Sequence, residues 1–244
     1  MLISEIYQSR QGEGILTGTP SVFVRTSGCN LRCGFCDTPF ASWDPVGEQM
    51  SIPEVLAEVL AEVDRAAQAN PKLESSQAKH VVLTGGEPML QREIDLLCKE
   101  IKSAGFHVTI ETAGTIFHQL DCDLMSISPK LSNSDPQADR AGEWLAKHRS
   151  KRHQPDVVKR LIETYDHQLK FVVDTPEDMN EILEYLKLVA PRDRSRILLM
   201  PEGIAVDELI EKEKWLVPLC TEHQFTFCPR KHIEWYGNLS LIHI

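Results

Sequence analysis

About six alternations of a β-branched run with a helical apolar stripe predict an α/β fold: a partial, open TIM-like barrel of about six βα units. Length sharpens the expectation. A full eight-unit barrel takes about 250 residues, and in this chain of 244 the polar stretch 132–166 lacks a strand-like run. That stretch reads as an insertion within a single domain spanning 1–244. Each unusual motif also falls just after an expected strand, the end of such sheets where ligands sit.

The first strand is expected over 2–7, at an edge, before a loop of Gln11, Gly12, Glu13 and Gly14 whose glycines let backbone approach a ligand. Residues 21–26 alternate as a strand with Arg25 near its end. Ser51, Pro53 and Glu54 form a capping-box pattern. The helix they open carries Val55, Leu56, Val59, Leu60 and Val63 on one apolar face. Asn70-Pro71 stops it, and 72–78 is a polar linker. A buried strand over 80–83 leads into Thr84-Gly85-Gly86-Glu87-Pro88, then a helix over about 91–103. Strand 108–111 ends in Glu111-Thr112, and strand 124–127 ends in Ser128-Pro129-Lys130. Within the insertion, helix is expected over 142–149 and 157–163. Order resumes as strand 168–173, helix 176–188, strand 196–200, helix 206–222 and strand 225–228.

Cys29, Cys33 and Cys36 crowd one loop, in the spacing C-x3-C-x2-C. Such thiolates suit a soft metal centre. Structural zinc wants four closed ligands, and no fourth cysteine or histidine stands at zinc-finger spacing. A cubane iron–sulfur cluster takes four cysteines, so three leave one iron open to another ligand. The bland alternative is adjacent buried thiols, which are common but rarely so bunched. Cys98, Cys122, Cys220 and Cys228 show no clustered spacing and read as free thiols.

The spacing, with Phe35 just before the third cysteine, resembles the radical S-adenosylmethionine (SAM) enzymes, in which the open iron binds SAM. Thr84-Gly85-Gly86-Glu87-Pro88 resembles that superfamily's glycine–glycine–glutamate turn, about fifty residues on and after a buried strand. The Gln11–Gly14 loop, the cysteine loop, this turn, Glu111-Thr112 and Ser128-Pro129-Lys130 together look like the 7-carboxy-7-deazaguanine synthase family. The resemblance runs over 2–130 and returns more weakly at 169–173 and near 230–238.

The resemblance implies a [4Fe–4S] cluster on Cys29, Cys33 and Cys36, with SAM against Phe35, Cys36, Asp37, Gly86, Ser128, Pro129 and Lys130. It implies a small-molecule pterin substrate held by Arg10, Gln11, Gly12, Glu13, Arg25 and Thr84, and Mg2+ on Thr38. An electron donor such as flavodoxin or ferredoxin and a homodimer follow from it too. Arg25 has the planar fork that suits a carboxylate, and a threonine hydroxyl suits the oxygen preference of magnesium. Arg10 stands where the family has an apolar residue, so contact there uses backbone. Residues 239–244 match poorly and leave terminal substrate contacts open.

A net charge of −10 argues against a nucleic-acid partner. No apolar run reaches the length of a membrane span, and MLISEIYQSR lacks a signal-peptide pattern. A cytoplasmic, reducing location is expected, where the thiols survive. Two rivals stand beside the synthase reading: a glycyl-radical activase with the same cysteine spacing, and a non-enzymatic metal-binding module. The Gln11–Gly14 loop and Arg25 favour a small carboxylated substrate over a protein one.

Overall fold

The computed structural model describes residues 1–69 and 79–237. The expected helix stop at Asn70-Pro71, the linker 72–78 and the ending 239–244 lie outside the described residues. β1 (Leu2–Arg10) pairs antiparallel with β2 (Pro20–Thr26). The two-residue β3 (Glu48–Gln49) lies on its other side. The expected short edge strand over 2–7 is thereby corrected. β3 takes the edge, and pairing to β2 runs on to Arg10 opposite Pro20.

After α1 (Pro39–Ser42) and α2 (Ile52–Ala69) come β4 (His80–Gly85), α3 (Ile94–Ser103), β5 (His107–Thr112) and β6 (Leu124–Ile127). The next connection carries α4 (Ala138–Ala141), α5 (Trp144–Arg152) and α6 (Pro155–Thr164). The chain closes with β7 (His167–Val173), α7 (Asp178–Val189), β8 (Ile197–Pro201), α8 (Val206–His223), β9 (Thr226–Phe227) and α9 (Lys231–Tyr236). Among the described residues one sheet forms, in the order β3-β1-β2-β4-β5-β6-β7-β8-β9. From β2 across to β9 every neighbouring pair is parallel. The end strands β3 and β9 do not meet, so the barrel stays open.

Strand alternation sorts the two faces. Val22, Val24, Val81, Leu83, Val108 and Ile110 pack outward with Val55 and Val59 of α2 and Leu97 and Ile101 of α3. The intervening residues point inward, and near the carboxyl ends of the strands they are polar. Arg25 lies beside Thr84 in the ladder, and Glu111 beside Ser126.

On α2 the expected stripe holds at Val55 and Val59 but not at Leu60, which is 45% exposed. Five residues on from Val55, Leu60 is turned about 140° around the helix, past the packed side. Glu54 reaches back to the Ser51 N–H (2.7 Å), as a capping box requires. The Ser51 hydroxyl departs from that pattern by donating to the same carboxylate (2.6 Å). Within 132–166, α6 sends Val158 and Leu161 into the main core. Among the described residues no helix is long and apolar enough to cross a membrane.

Candidate active site

The inward polar residues and the loops beyond them enclose a cavity of about 290 Å3. Cys29, Cys33, Cys36, Phe35, Asp37 and Thr38 line one side of it. Arg10, Gln11, Gly12, Glu13, Arg25 and Thr84 line another, with Gly86, Ser128 and Lys130 between. Of the residues given a ligand-holding role by the resemblance, Pro129 alone is off the wall; it is buried in the turn that presents Ser128 and Lys130. Lys130 curls over that turn, donating to Ser128 O (2.9 Å) and Ser128 Oγ (2.7 Å).

The cysteine loop is pinned by backbone. Gly28 N donates to Ala41 O (2.8 Å), and Glu87 N donates to Gly28 O (2.9 Å). A Cβ at Gly86 would stand 2.2 Å from Gly28 O, so only glycine lets the two turns touch. Glu87 itself is fully buried, accepting from Met89 N, Thr112 Oγ1 and Ala113 N at 2.8–3.1 Å. It ties β4 to β5 rather than facing the cavity. Burial pushes its carboxyl above the ordinary range.

Burial also pushes the Cys29 and Cys33 thiols up to about 12, so a strongly cationic centre is needed to hold them as thiolates. Among the described residues, no three His, Cys, Asp or Glu side chains converge on one point as a single metal ion needs. A cubane fits better, because each thiolate takes a different iron and the sulfurs stand around it. The three-thiol donor set thus suits an iron–sulfur cluster facing the cavity. Thr38 stands at the N-cap of α1 with no side-chain cap bond; its hydroxyl lies 3.9 Å from Cys36 Sγ, beside the cavity.

Arg25 donates Nε to Glu5 (2.5 Å) and Nη2 to the Tyr7 hydroxyl (2.9 Å). Tyr7 stacks on Phe23 with ring centroids 5.2 Å apart, forming an aromatic wall. Thr84 donates to Glu111 (2.8 Å), and Gln11 Nε2 donates to Ser21 Oγ (2.9 Å).

Glu13 accepts from Lys170 (2.5 Å) and Arg230 (3.2 Å), and Arg230 also donates to Asp37 (2.7 Å). Burial alone would raise the Glu13 carboxyl. The Lys170, Arg230 and His232 charges outweigh it and hold the group well below the usual carboxylate range. Gly12 lies against the His232 ring, which a Cβ would meet at 2.4 Å.

Sequence reasoning assigned no role to Tyr7, Lys170, Arg230 or His232, and used Glu111 only as part of a motif. The available signal was a polar residue at an inward position near the carboxyl end of a strand, as at Glu111 and Lys170. Tyr7 shares that pattern on an antiparallel strand. Arg230 and His232 follow β9 and carry no such periodicity.

Residues 23–189 match the radical SAM superfamily. A 7-carboxy-7-deazaguanine synthase of Rhodopirellula baltica is 43% identical over 242 residues, covering 98% of this chain and 87% of that protein. One from Halobacterium salinarum is 42% identical over 245 residues, covering 97% and 90%. The crystal structure of QueE from Escherichia coli shares the fold, with a TM-score of 0.64 and 24% identity over 95% of this chain and 94% of that one. The chain therefore belongs to the radical SAM superfamily and, within it, to the 7-carboxy-7-deazaguanine synthase family.

Proposed function

We propose that this protein contracts 6-carboxy-5,6,7,8-tetrahydropterin to 7-carboxy-7-deazaguanine with loss of ammonia, in queuosine and deazapurine biosynthesis. One observation carries the reading: three cysteines and a buried, polar, carboxylate-bearing wall share a single cavity. Radical SAM membership brings a [4Fe–4S] cluster and SAM, which when bound supply a carbon-centred radical able to remove hydrogen.

The chain's own residues position the reactants. Among the described residues Arg25 Nη1 makes no hydrogen bond to the protein, leaving donors for the substrate carboxylate. Glu111, Glu13 and Gln11 offer acceptors to the N–H groups of the pyrimidine half, and Thr84 steadies Glu111. Tyr7 and Phe23 give the flat ring an apolar wall and exclude water. Phe35, Cys36, Asp37, Gly86, Ser128 and Lys130 are the SAM contacts. Pro129 acts only by shaping its turn. The reductant is a flavodoxin- or ferredoxin-type protein, and the protein is a homodimer. The near-full-length relatives named for the synthase favour neither an activase nor a metal-binding module.

The test is anaerobic incubation of reduced, cluster-loaded protein with SAM and substrate deuterated at C6. The expected result is product of the right mass and deuterium recovered in SAM, as hydrogen returns from 5′-deoxyadenosine. Product without label in SAM would overturn SAM recycling, and no product would overturn the substrate.

Magnesium enters the same proposal through Thr38, orienting the substrate carboxylate without redox chemistry. Thr38→Ala should lower turnover about tenfold, within the range for a lost metal or second-shell contact, and flatten the response to added Mg2+. An unchanged magnesium titration would put the ion elsewhere.

A further inference from the structure

The connection from β6 to α6 folds directly onto the cysteine loop. The Arg32 amide, just before Cys33, donates to His148 Nδ1 (3.1 Å). His148 is fully buried, and its Nε2 lies 3.0 Å from Ser134 Oγ. Ser134 gives its one hydroxyl proton to Leu131 O (2.6 Å), so it must accept from His148. His148 is therefore neutral with the proton on Nε2. Its Nδ1 lone pair is committed to the loop. A ring with both nitrogens protonated would set two N–H groups against each other.

The Arg32 side chain is fixed as well. Its Nη1 donates to Cys29 O (2.9 Å) and Leu31 O (2.8 Å), and its guanidinium lies 4.0 Å from the centroid of the Trp144 ring. Both carbonyls belong to the cysteine loop, so the charge is held against the segment that carries Cys29 and Cys33. Gly34 N, between the second and third cysteines, donates to Ser134 O (2.9 Å). An ordinary buried histidine ends its bonds in the core. This one sets Nδ1 on backbone between Cys29 and Cys33, and Nε2 on Ser134, whose carbonyl in turn accepts from Gly34.

We propose that residues 131–152 form a clamp on the cluster loop, in which His148 is a positioning residue for Cys33 and Trp144 holds Arg32 as a fixed cation beside the cluster. The clamp limits the loop's freedom to open and release iron. The Arg32 charge favours the reduced, more negative cluster and so raises its potential. The inference rests on the cysteine loop holding a cluster, so iron loading of the wild-type chain comes first; a wild type that binds no iron overturns both.

The test compares H148L, H148N, W144L and K159A in the full chain, reconstituted anaerobically. Cluster loss to EDTA and EPR-monitored midpoint potentials are the readouts. H148L should lose its cluster about tenfold faster, in line with outer-shell substitutions at metal sites. H148N, whose amide oxygen takes the Nδ1 position and can accept from Arg32 N, should restore part of the retention. W144L should keep its cluster but favour the oxidised form about tenfold more, which for one electron is about 59 mV lower. K159A alters an exposed residue of α6, outside the clamp, and should match wild type in both.

H148L retention equal to wild type, H148N as leaky as H148L, or an unchanged W144L potential each overturns the proposal. If H148L does not fold, the W144L potential alone decides.

Discussion

Replacing Cys29, Cys33 or Cys36 with alanine should abolish both iron binding and SAM cleavage, while the same change at Cys98, Cys122, Cys220 or Cys228 should leave both in place. This is the largest effect expected in the chain. The first three thiols line the cavity, and removing one leaves two ligands for a cluster that already uses one fewer than the usual four. The other four are structural. Cys98 is buried on α3, Cys220 is buried on α8, and Cys228 accepts the Gly14 N–H (3.1 Å). Cys122 is half-buried, packs against the main core and is not part of the cavity wall. Iron and sulfide analysis with 5′-deoxyadenosine release measures the contrast. Cluster loss from any of these four variants would refute the ligand assignment.

The second large effect is at Lys170. Its side chain is 6% exposed and faces Glu13, so Lys170→Met strands a buried carboxylate. Breaking a buried pair costs about 3–5 kcal/mol, and the low end applies because Arg230 still faces Glu13. In the wild type Glu13 is held low, so its contribution is complete above about pH 4.3 and fades as pH falls below that. In K170M burial is less opposed and the Glu13 pKa rises toward its unfolded value, so less stability is lost as pH falls, and the two midpoints converge in acid, where Glu13 is protonated. A denaturant midpoint measured across pH checks this. The double variant E13Q/K170M should regain most of the stability but not product formation, since the carboxylate is gone. A K170M midpoint equal to wild type would show that the pair adds nothing.

The fold was readable because parallel strands buried on both faces leave apolar runs, and because Gly, Pro and polar turns punctuate them. The cysteine loop and the turn around Gly86 were readable for a different reason. Their chemistry depends on spacing within one loop, and spacing is a property of sequence. Arg25 was read as a clamp, but its partner Glu5 was not, because pairing across β1 and β2 depends on register. Arg230 fell in a stretch of weak resemblance but received no role: its contacts with Glu13 and Asp37 join segments that nothing local connects. The stretch 132–166 read as a solvated insertion because its charges dominate composition. His148, one uncharged ring among them, is fully buried against the loop.

The loop around Gly12 and Glu13 has a consequence for how the molecule comes into being. It is held by Cys228, Arg230 and Lys231, with separations of 214 residues for the Gly14–Cys228 bond and 217 for Glu13–Arg230. A chain emerging from the ribosome can build β1 and β2 long before those partners exist. Contacts so distant along the chain carry the greatest loop-closure entropy and form late. Until residue 230 has been synthesised, Glu13 is a carboxylate with no guanidinium to meet. The Glu13 side of the cavity is thus among the last parts to mature.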